Sequence, residues 1–402
     1  MRYLQIVSLL ILLFPLSLFA QICDFSHQTN AHIERYTEGA VAQFFQNPIR
    51  QRAVARIPVV VHVVWNDLAQ NISDAQIQSQ IEALNRDFRK RNTVNSAFAR
   101  FAVDCEIEFC LATRDTNGVA TKGIERRQTN IAEIGSTFQD TFRRIYYNSR
   151  GGLNAWNPQK YFNIWVCAFT PSAGTLGFAT SLAKVAARPQ EDGIIVDYRV
   201  FGTIGNLLTD RQNGRIAVHE VGHYFNLLHI WGSDDTCNDD DAVEDTPLQA
   251  SPHIDCPVDL IKSCTTAFDF YRNYMDLTND DCTSFFTAGQ KARMWATLTG
   301  FRSGLLNSNA CEPVGVTHIY MPTFEAYPNP AESVLTVALK NWNSSAPKKI
   351  RLMNCFGRIV SEKTLYTEGG VDLPLDGLAS GFYCLSLSVD NEVFIKKIVI
   401  QK

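Results

Sequence analysis

The apolar residues of the chain follow two different patterns, which meet near Cys311. In the first part, residues 57–65 (IPVVVHVVW) form an unbroken run of mostly β-branched residues, typical of a strand buried on both faces. The next segment starts with a predicted capping box of Ser73 and Gln76 and continues with an apolar stripe at helical spacing. That stripe consists of Ile77, Ile81, Leu84 and Phe88.

Further strands are predicted at the segments EIEFCLA, YFNIWVCAF and DGIIVDY. Together with a histidine-containing helix that follows them, these elements predict an α+β domain in which helices back a mixed sheet. After Cys311 the sequence becomes rich in turn residues, and residues 313–324 are predicted to be a linker. Residues 325–402 alternate short β-type runs with turn signals, which predicts a small β-sandwich.

The N-terminal residues 1–20 have the pattern of a signal peptide. Arg2 supplies the positive charge, Ile6 to Phe19 form the apolar core, and Ala20 is a small residue at a cleavage point. The apolar run is too short to span a bilayer, and no later segment is long and apolar enough, so we expect an exported protein without a transmembrane anchor. The net charge of −4, with no basic cluster, predicts no binding to nucleic acid.

Candidate chemistry is concentrated in residues 219–229, which read HEVGHYFNLLH. If this segment begins as a helix, His219 and His223 lie one turn apart on the same face, where both can reach one zinc ion. His229 can join them only if the chain turns sharply after the helix. Such a turn needs a residue with positive φ, and Asn226 is the residue type that tolerates this best after glycine. The alternative interpretation is an amphipathic helix whose histidines are surface or core residues.

The pattern HExxHxxNxxH resembles the zinc signature of the metzincin proteases, with Asn226 where they have glycine. A second element, NYMDLTNDDC, contains Met275, which resembles the Met-turn that forms an apolar floor beneath the zinc. With IPVVVHVVW, NISDAQIQSQIEALNRDFRKRN and HIWG, these residues resemble the pappalysin (cytophagalysin-like) family over most of residues 57–312. The resemblance implies a metzincin-type catalytic domain at residues 57–312 with a twisted mixed sheet, a backing helix, an active-site helix and a Met-turn. It also implies a propeptide at residues 21–56.

The resemblance also implies a reaction, the hydrolysis of peptide bonds in protein or peptide substrates. His219, His223 and His229 would bind one catalytic zinc and leave its fourth position to a water molecule, whose pKa the metal lowers. Glu220 would act as the general base. Relatives commonly carry a tyrosine two residues after the Met-turn methionine, and Leu277 stands there instead, so slower turnover is expected. The alternative is a secreted binding or adhesion protein that keeps zinc but is catalytically weak.

The segment after the histidines is strongly acidic, with seven carboxylates in residues 234–245. A solvated acidic loop is one interpretation, and a site for a hard cation such as calcium is the other. Relatives bind Ca²⁺ here, and the resemblance implies Asp241, Asp245 and Thr246 as ligands.

The chain has eleven cysteines, and export allows them to form disulfides. Four of them, in residues 237–282, have three possible pairings by sequence alone. The resemblance implies the pairs Cys237–Cys264 and Cys256–Cys282. Cys23 is the only cysteine upstream of the catalytic domain. It either blocks the zinc in a latent precursor, as in relatives, or is an unpaired thiol.

Two expectations concern processing. Removal of the propeptide would cut within RQRAVAR, after Arg52 or Arg56. Residues 325–402 resemble the C-terminal sorting domain of the type IX secretion system, through YPNPAESVLTV, NCFGRIV and LASGFYCLSLSV. The resemblance implies type IX secretion machinery as a partner and export past the outer membrane, and the alternative is an immunoglobulin-like accessory or adhesion module.

The last expectation concerns specificity. In metzincins the segment after the Met-turn lines the pocket for the residue that follows the cleaved bond. In related enzymes an aspartate at the position of Asp281 lies at the floor of that pocket and favours arginine. The resemblance therefore implies a preference for Arg over Lys, and for both over apolar residues. The alternative is that Asp281 is exposed or binds calcium.

Overall fold

The structure is a computed structural model, and it describes ten stretches of the chain. These are residues 30–46, 54–136, 143–171, 174–233, 236–264, 267–313, 323–340, 347–366, 369–389 and 392–402. The chain divides into two compact units, residues 1–314 and residues 315–402. The predicted signal peptide and Cys23 lie outside the described residues, as does Arg52.

A mixed sheet forms the centre of the first unit, with the strand order β2-β1-β4-β6-β5 and with β3 also paired to β1. All pairs are parallel except that of β5 with β6, which is antiparallel. The strands are β1 (Ala55–Trp65), β2 (Ile107–Leu111), β3 (Ile124–Gln128), β4 (Phe162–Cys167), β5 (Gly177–Ala179) and β6 (Gly193–Asp197). β1, β4 and β6 are buried along almost their whole length, as the unbroken apolar run at residues 57–65 predicts.

Within the described part of this unit, six α-helices accompany the sheet. They are α1 (Ala31–Gln46), α2 (Asp74–Phe88), α3 (Leu182–Ala187), α4 (Arg215–Tyr224), α5 (Ala288–Thr299) and α6 (Ser303–Leu306). The predicted apolar stripe of α2 is buried in one continuous core with β1, β4 and α4. Ser73 caps α2 by accepting a hydrogen bond from the backbone N–H of Gln76. The side chain of Gln76 donates instead to the carbonyls of Tyr198 and Phe201, so it contributes to tertiary structure.

The second unit consists of two antiparallel sheets that enclose one apolar core, as in a β-sandwich. One sheet has the order β10-β9-β12-β13 and the other β11-β8-β7. The strands are β7 (Thr323–Tyr327), β8 (Val334–Lys340), β9 (Lys348–Met353), β10 (Ile359–Leu365), β11 (Gly369–Pro374), β12 (Gly381–Val389) and β13 (Glu392–Ile400). The α+β unit followed by a small β-sandwich agrees with the fold class predicted from the sequence.

Within the described stretches, no helix has both the length and the apolar character needed to cross a bilayer.

Candidate metal centre and active-site pocket

Helix α4 supplies the first part of the site. It begins after Gly214, whose φ of 71° is left-handed, and every residue from Ile216 to Tyr224 is buried. The helix ends in a Schellman-type turn, in which the N–H of Asn226 donates to the carbonyl of His223 and the N–H of Leu227 to that of Gly222. Asn226 has a φ of 69°, as the sequence predicts for a residue that ends the helix abruptly. The turn reverses the chain and brings His229 back toward α4.

The three histidines of this segment meet at one point. The Nε2 atom of His223 lies 3.0 Å from that of His219 and 3.1 Å from that of His229. One ligand atom from each ring lies within 4.8 Å of those of the other two, and all three residues are buried. In two of the rings a backbone carbonyl holds the opposite nitrogen: Nδ1 of His219 donates to Tyr274 over 2.7 Å and Nδ1 of His223 to Leu227 over 2.8 Å. These bonds fix the tautomer in which Nε2 carries the lone pair.

This arrangement fits a cation better than it fits three isolated histidines. Lone pairs that face each other at about 3 Å repel, and a metal ion between them removes that repulsion. Burial lowers the pKa of His219 to about 4, although hydrogen bonds to backbone carbonyls oppose the shift, so this imidazole is neutral and available as a ligand. The residues therefore fit the zinc ion that the sequence pattern implies.

The surroundings of the histidines are apolar. Met275 is fully buried, and its sulphur lies so close to Gly222 of α4 that a Cβ atom there would approach it to 2.4 Å. The ring of His229 stacks on Trp231 with centroids 4.2 Å apart. Met275 therefore packs against the helix turn that carries His219 and His223.

Glu220 lies beside this centre and is completely buried. Its carboxylate faces the edge strand β5 at Gly177, where a Cβ atom would come within 2.4 Å of Oε1 and 2.7 Å of Cγ. The absence of a side chain at Gly177 thus makes room for the carboxylate. The sequence pattern identified Glu220, but it contained no signal for Gly177, because β5 has only three residues.

A small pocket opens next to His219 and Glu220, and Leu277 and Asp280 are among its lining residues. Asp280 is buried, and its Oδ2 accepts hydrogen bonds from the backbone N–H groups of Asn213 and Arg215 at the start of α4. Nη1 of Arg211, which also lines the pocket, lies 4.0 Å from Oδ1 of Asp280.

The structure places Asp281 differently from its predicted position at the pocket floor. Asp281 is exposed, accepts a hydrogen bond from Nδ2 of Asn213 over 2.8 Å, and lines a separate polar cavity with Asp210 and Arg86. The reason is the inward turn of Asp280 toward the start of α4, which directs the next side chain outward. Asp280, and not Asp281, is therefore the one of these two aspartates that lines the pocket beside His219 and Glu220.

The acidic segment brings together part of its predicted ligand set. Asp241 is buried, and its Oδ1 accepts a hydrogen bond from the hydroxyl of Thr246 over 2.6 Å. Its Oδ2 is buried and has no hydrogen-bond partner among the described residues. Burial raises the pKa of Asp241 to about 7. Asp245 is engaged elsewhere, since its two oxygens accept from the Thr287 hydroxyl and the Gly289 N–H at the start of α5.

Among the described residues of the first unit, three disulfides form cross-links. Cys237 is joined to Cys264 and Cys256 to Cys282, which are the pairs that the resemblance implies. The sequence left the third pair open: Cys110 of β2 is joined to Cys311 at the end of this unit. Cys105 and Cys167 are buried free thiols within this part of the structure.

Comparison with known proteins agrees with this geometry. An extracellular metalloprotease of Pyricularia oryzae is 31% identical over 262 residues, which are 63% of this chain and 78% of that protein. One from Arthroderma benhamiae is 27% identical over 253 residues, 62% of this chain and 79% of that protein.

Among solved structures, mature mirolysin of Tannerella forsythia in complex with a cleaved peptide has a TM-score of 0.61 and 41% identity. The match covers 65% of this chain and 100% of that chain. A promirolysin mutant of the same organism has a TM-score of 0.58 and 37% identity, over 71% of this chain and 97% of that chain.

Two family profiles match the sequence. The profile of a secretion system C-terminal sorting domain matches residues 325–401, so the second unit is a sorting domain and the protein is secreted. The profile of the peptidase family described as pregnancy-associated plasma protein-A matches residues 146–299, which contain α4 and Met275. The chain belongs to this pappalysin family, and it is a secreted metalloendopeptidase.

Proposed function

We propose that His219, His223 and His229 hold one zinc ion and that Glu220 is the general base of peptide-bond hydrolysis. The convergence of three buried Nε2 atoms, with Nδ1 of two of the rings held by carbonyls, is the observation that carries this proposal. The rings are set in place by the structure itself, so little reorganisation is needed when a metal binds.

When bound, zinc polarises the scissile carbonyl and makes a water molecule acidic at neutral pH. The carboxylate of Glu220, buried beside the histidines, accepts the proton of the attacking water and passes it to the leaving amine. Leu277 lines the pocket at a point where it can donate no hydrogen bond to the developing oxyanion. We therefore expect turnover about a hundredfold below that of an otherwise equal site with such a donor.

Cleavage of a mixed peptide library tests this proposal. The processed protein should carry one zinc per chain and cut internal peptide bonds, and a chelator should abolish the cleavage until zinc is restored. Zinc-loaded protein that cuts no peptide would contradict the proposal and support a secreted binding protein instead.

We further propose that the pocket prefers Arg, and then Lys, after the cleaved bond. The carboxylate of Asp280 supports this preference through Oδ1, because a charge-assisted hydrogen bond to a guanidinium is stronger than any contact with an apolar side chain, while Oδ2 already accepts two backbone hydrogen bonds. We assign this role to Asp280 rather than to Asp281, because Asp280 lines the pocket beside His219 and Glu220 and Asp281 is exposed. An incoming guanidinium must compete with Arg211, which limits the gain in affinity.

Peptides that differ only in the residue after the cleaved bond test the pocket. Asp280→Asn should reduce the Arg-to-Leu ratio of kcat/KM, while Asp281→Asn, the matched control, should leave the ratio unchanged. A profile dominated by apolar residues in the wild-type protein would reject the preference. If Asp281→Asn loses the preference for Arg and Asp280→Asn keeps it, Asp281 is the residue that selects Arg.

We also propose that residues 21–56 act as a propeptide. α1 lies in this segment and packs on the catalytic unit, and the match to promirolysin covers more of this chain than the match to mature mirolysin. Arg56 lies inside β1, opposite Glu108 of β2, so a cut after Arg52 leaves the sheet intact whereas a cut after Arg56 does not.

The role of Cys23 in latency is a separate proposal. A thiolate is a good zinc ligand, and Cys23 is encoded eight residues before α1. A Cys23→Ser precursor should show higher activity and faster self-processing than the wild-type precursor. Equal activity of the two precursors would contradict zinc blocking by this thiol.

Finally, we propose that Asp241 and Thr246 contribute to a structural calcium site. The buried Oδ2 of Asp241, which lacks a hydrogen-bond partner in the described part of the chain, supports this assignment. Asp245 contributes less, because both of its oxygens already cap α5.

A further inference from the structure

Helix α1 is attached to the catalytic unit through a buried ion pair. Nη2 of Arg293, in α5, lies 3.0 Å and 2.9 Å from the two carboxylate oxygens of Glu34 in α1. The Arg293 side chain is only 2% exposed and that of Glu34 is 19% exposed. A charge at this depth is costly without its partner, so the position of Arg293 depends on α1.

The same guanidinium reaches the turn between the second and third histidines. Nε of Arg293 donates a hydrogen bond of 2.6 Å to the carbonyl of Asn226. This carbonyl belongs to the residue with a φ of 69°, at which the chain reverses toward His229. Arg293 thus connects a carboxylate of α1 directly to the backbone of the turn.

A second contact connects α1 to the same residue. The hydroxyl of Thr37 donates to the carbonyl of Ile33 and lies 3.4 Å from Nδ2 of Asn226, from which it can accept a hydrogen bond. Both Thr37 and Asn226 are buried. A glycine at position 226 would allow the turn but could not make this contact. The asparagine therefore gives this chain a side-chain contact between the turn and α1.

We propose that α1 clamps the turn that positions His229, with Glu34 and Arg293 as positioning residues for this ligand. The proposal rests on the proposed zinc site. While α1 is attached, Arg293 is fixed between Glu34 and the Asn226 carbonyl, so His229 stays aligned with His219 and His223. Loss of α1 releases Arg293 and lets the turn relax. The propeptide segment then affects how firmly the metal is held, independently of any contact between Cys23 and the metal.

The rate of zinc release tests the clamp. Full-length protein carrying Cys23→Ser and Glu220→Gln, which prevent thiol ligation and self-cleavage, is loaded with one zinc per chain and mixed with a chromogenic chelator. Glu34→Gln in this background should release zinc about tenfold faster, the lower end of the effect of losing an outer-shell partner. Glu38→Gln, one helical turn away and exposed, is the matched control and should release zinc at the parent rate.

A second variant and a spectroscopic signal separate positioning from folding. Asn226→Gly keeps the turn, because glycine adopts positive φ freely, and removes the contact to Thr37; it should accelerate release by a smaller factor. In cobalt-loaded protein, Glu34→Gln should shift the visible absorption bands, which report ligand geometry, and Glu38→Gln should not.

Equal release rates and equal cobalt spectra for Glu34→Gln and Glu38→Gln, each with one metal per chain, would overturn the clamp while leaving the proposed zinc site intact. A parent protein that binds no zinc would overturn the zinc site and the clamp together.

Discussion

Two neighbouring ligand sets were predicted to bind a metal, and the structure brings their members together to different degrees. The first is His219, His223 and His229, and the second is Asp241, Asp245 and Thr246. In the first, three ligand nitrogens converge within 4.8 Å of one another. In the second, Asp241 is buried beside Thr246, while Asp245 caps α5. The first predicted ligand set is therefore preformed, whereas only part of the second is brought together.

The two sets differ in the kind of structure that brings the ligands together. His219 and His223 are related by helix geometry and His229 by a turn that follows directly, so local structure brings them together. The acidic segment has no regular structure, and its carboxylates are distributed by contacts with distant residues such as Thr287. Ligands grouped by local structure can be identified from sequence, and ligands selected by tertiary contacts cannot.

The largest effect is expected for Glu220→Gln, which tests whether residues 219–229 supply the general base. Glutamine keeps the shape of the side chain and cannot accept the proton, so kcat/KM should fall by roughly 10²–10⁴-fold. Zinc content, measured by atomic emission, should stay at one per chain. Retention of more than a tenth of the activity would show that another group acts as the base.

The next effect is expected at Gly177. In Gly177→Ala the new methyl group would collide with the Glu220 carboxylate and displace it. Because a displacement of about 1 Å can cost about a hundredfold in rate, kcat should fall by up to that factor while zinc content stays constant. The matched control is Gly370→Ala in β11, outside the proposed propeptide, where the nearest neighbour of an added Cβ lies at an ordinary contact distance of 3.5 Å. Unchanged kcat in Gly177→Ala would show that Glu220 adapts to the methyl group.

A smaller effect is expected from calcium, which tests whether the acidic segment binds this ion. Calcium at about one hundred times its Kd should stabilise the zinc-loaded protein by about 2.7 kcal/mol, which raises Tm by roughly 5–10 °C. Asp241→Asn should lose this shift in calorimetry and keep peptidase activity. Asp240→Asn, at the exposed neighbouring position, should behave as wild type. If calcium does not change the Tm of the wild-type protein, the proposed calcium site at Asp241 is wrong.

The smallest effect concerns His253, which links the chain after the acidic segment to the Met275 turn. Its Nδ1 lies 3.0 Å from Oδ2 of Asp276, and its Nε2 lies 3.5 Å from Oδ2 of Asp269. Burial disfavours the imidazolium, but the hydrogen bond to Asp276 and the charges of the two carboxylates outweigh it and raise the pKa of His253.

A raised pKa gives stability that is complete below the unfolded-state value of about 6.5 and is lost as the pH rises through the folded-state value. His253→Asn should therefore lower the free energy of unfolding by up to about 2 kcal/mol at pH 6 and by less at pH 9. Chemical denaturation at both pH values measures this, with the exposed His32→Asn as control. If the loss of unfolding free energy in His253→Asn were larger at pH 9 than at pH 6, a raised pKa of His253 would be contradicted.

The sequence predicted those features of the fold that depend on local pattern. β1, α2 and the positive φ of Asn226 all follow from periodicity or from a single backbone requirement. It contained no signal for β5, which has three residues and pairs with β6.

Features that depend on distant contacts were missed or shifted. Cys110 and Cys311 are 201 residues apart, so nothing in the sequence pattern joins them. Asp280 and Asp281 are adjacent and chemically identical, and only the packing at the start of α4 decides which enters the pocket.

The Cys110–Cys311 bond has a consequence for a protein that cuts peptide bonds. It closes a loop containing α4, Met275 and most of the central sheet, so all three histidines lie inside one covalent ring. A single cut anywhere in that ring opens it without dividing the molecule, and the two new ends remain joined. Self-digestion inside the ring would thus go unnoticed on a gel run without reductant, and it would appear as fragments once the disulfides were reduced.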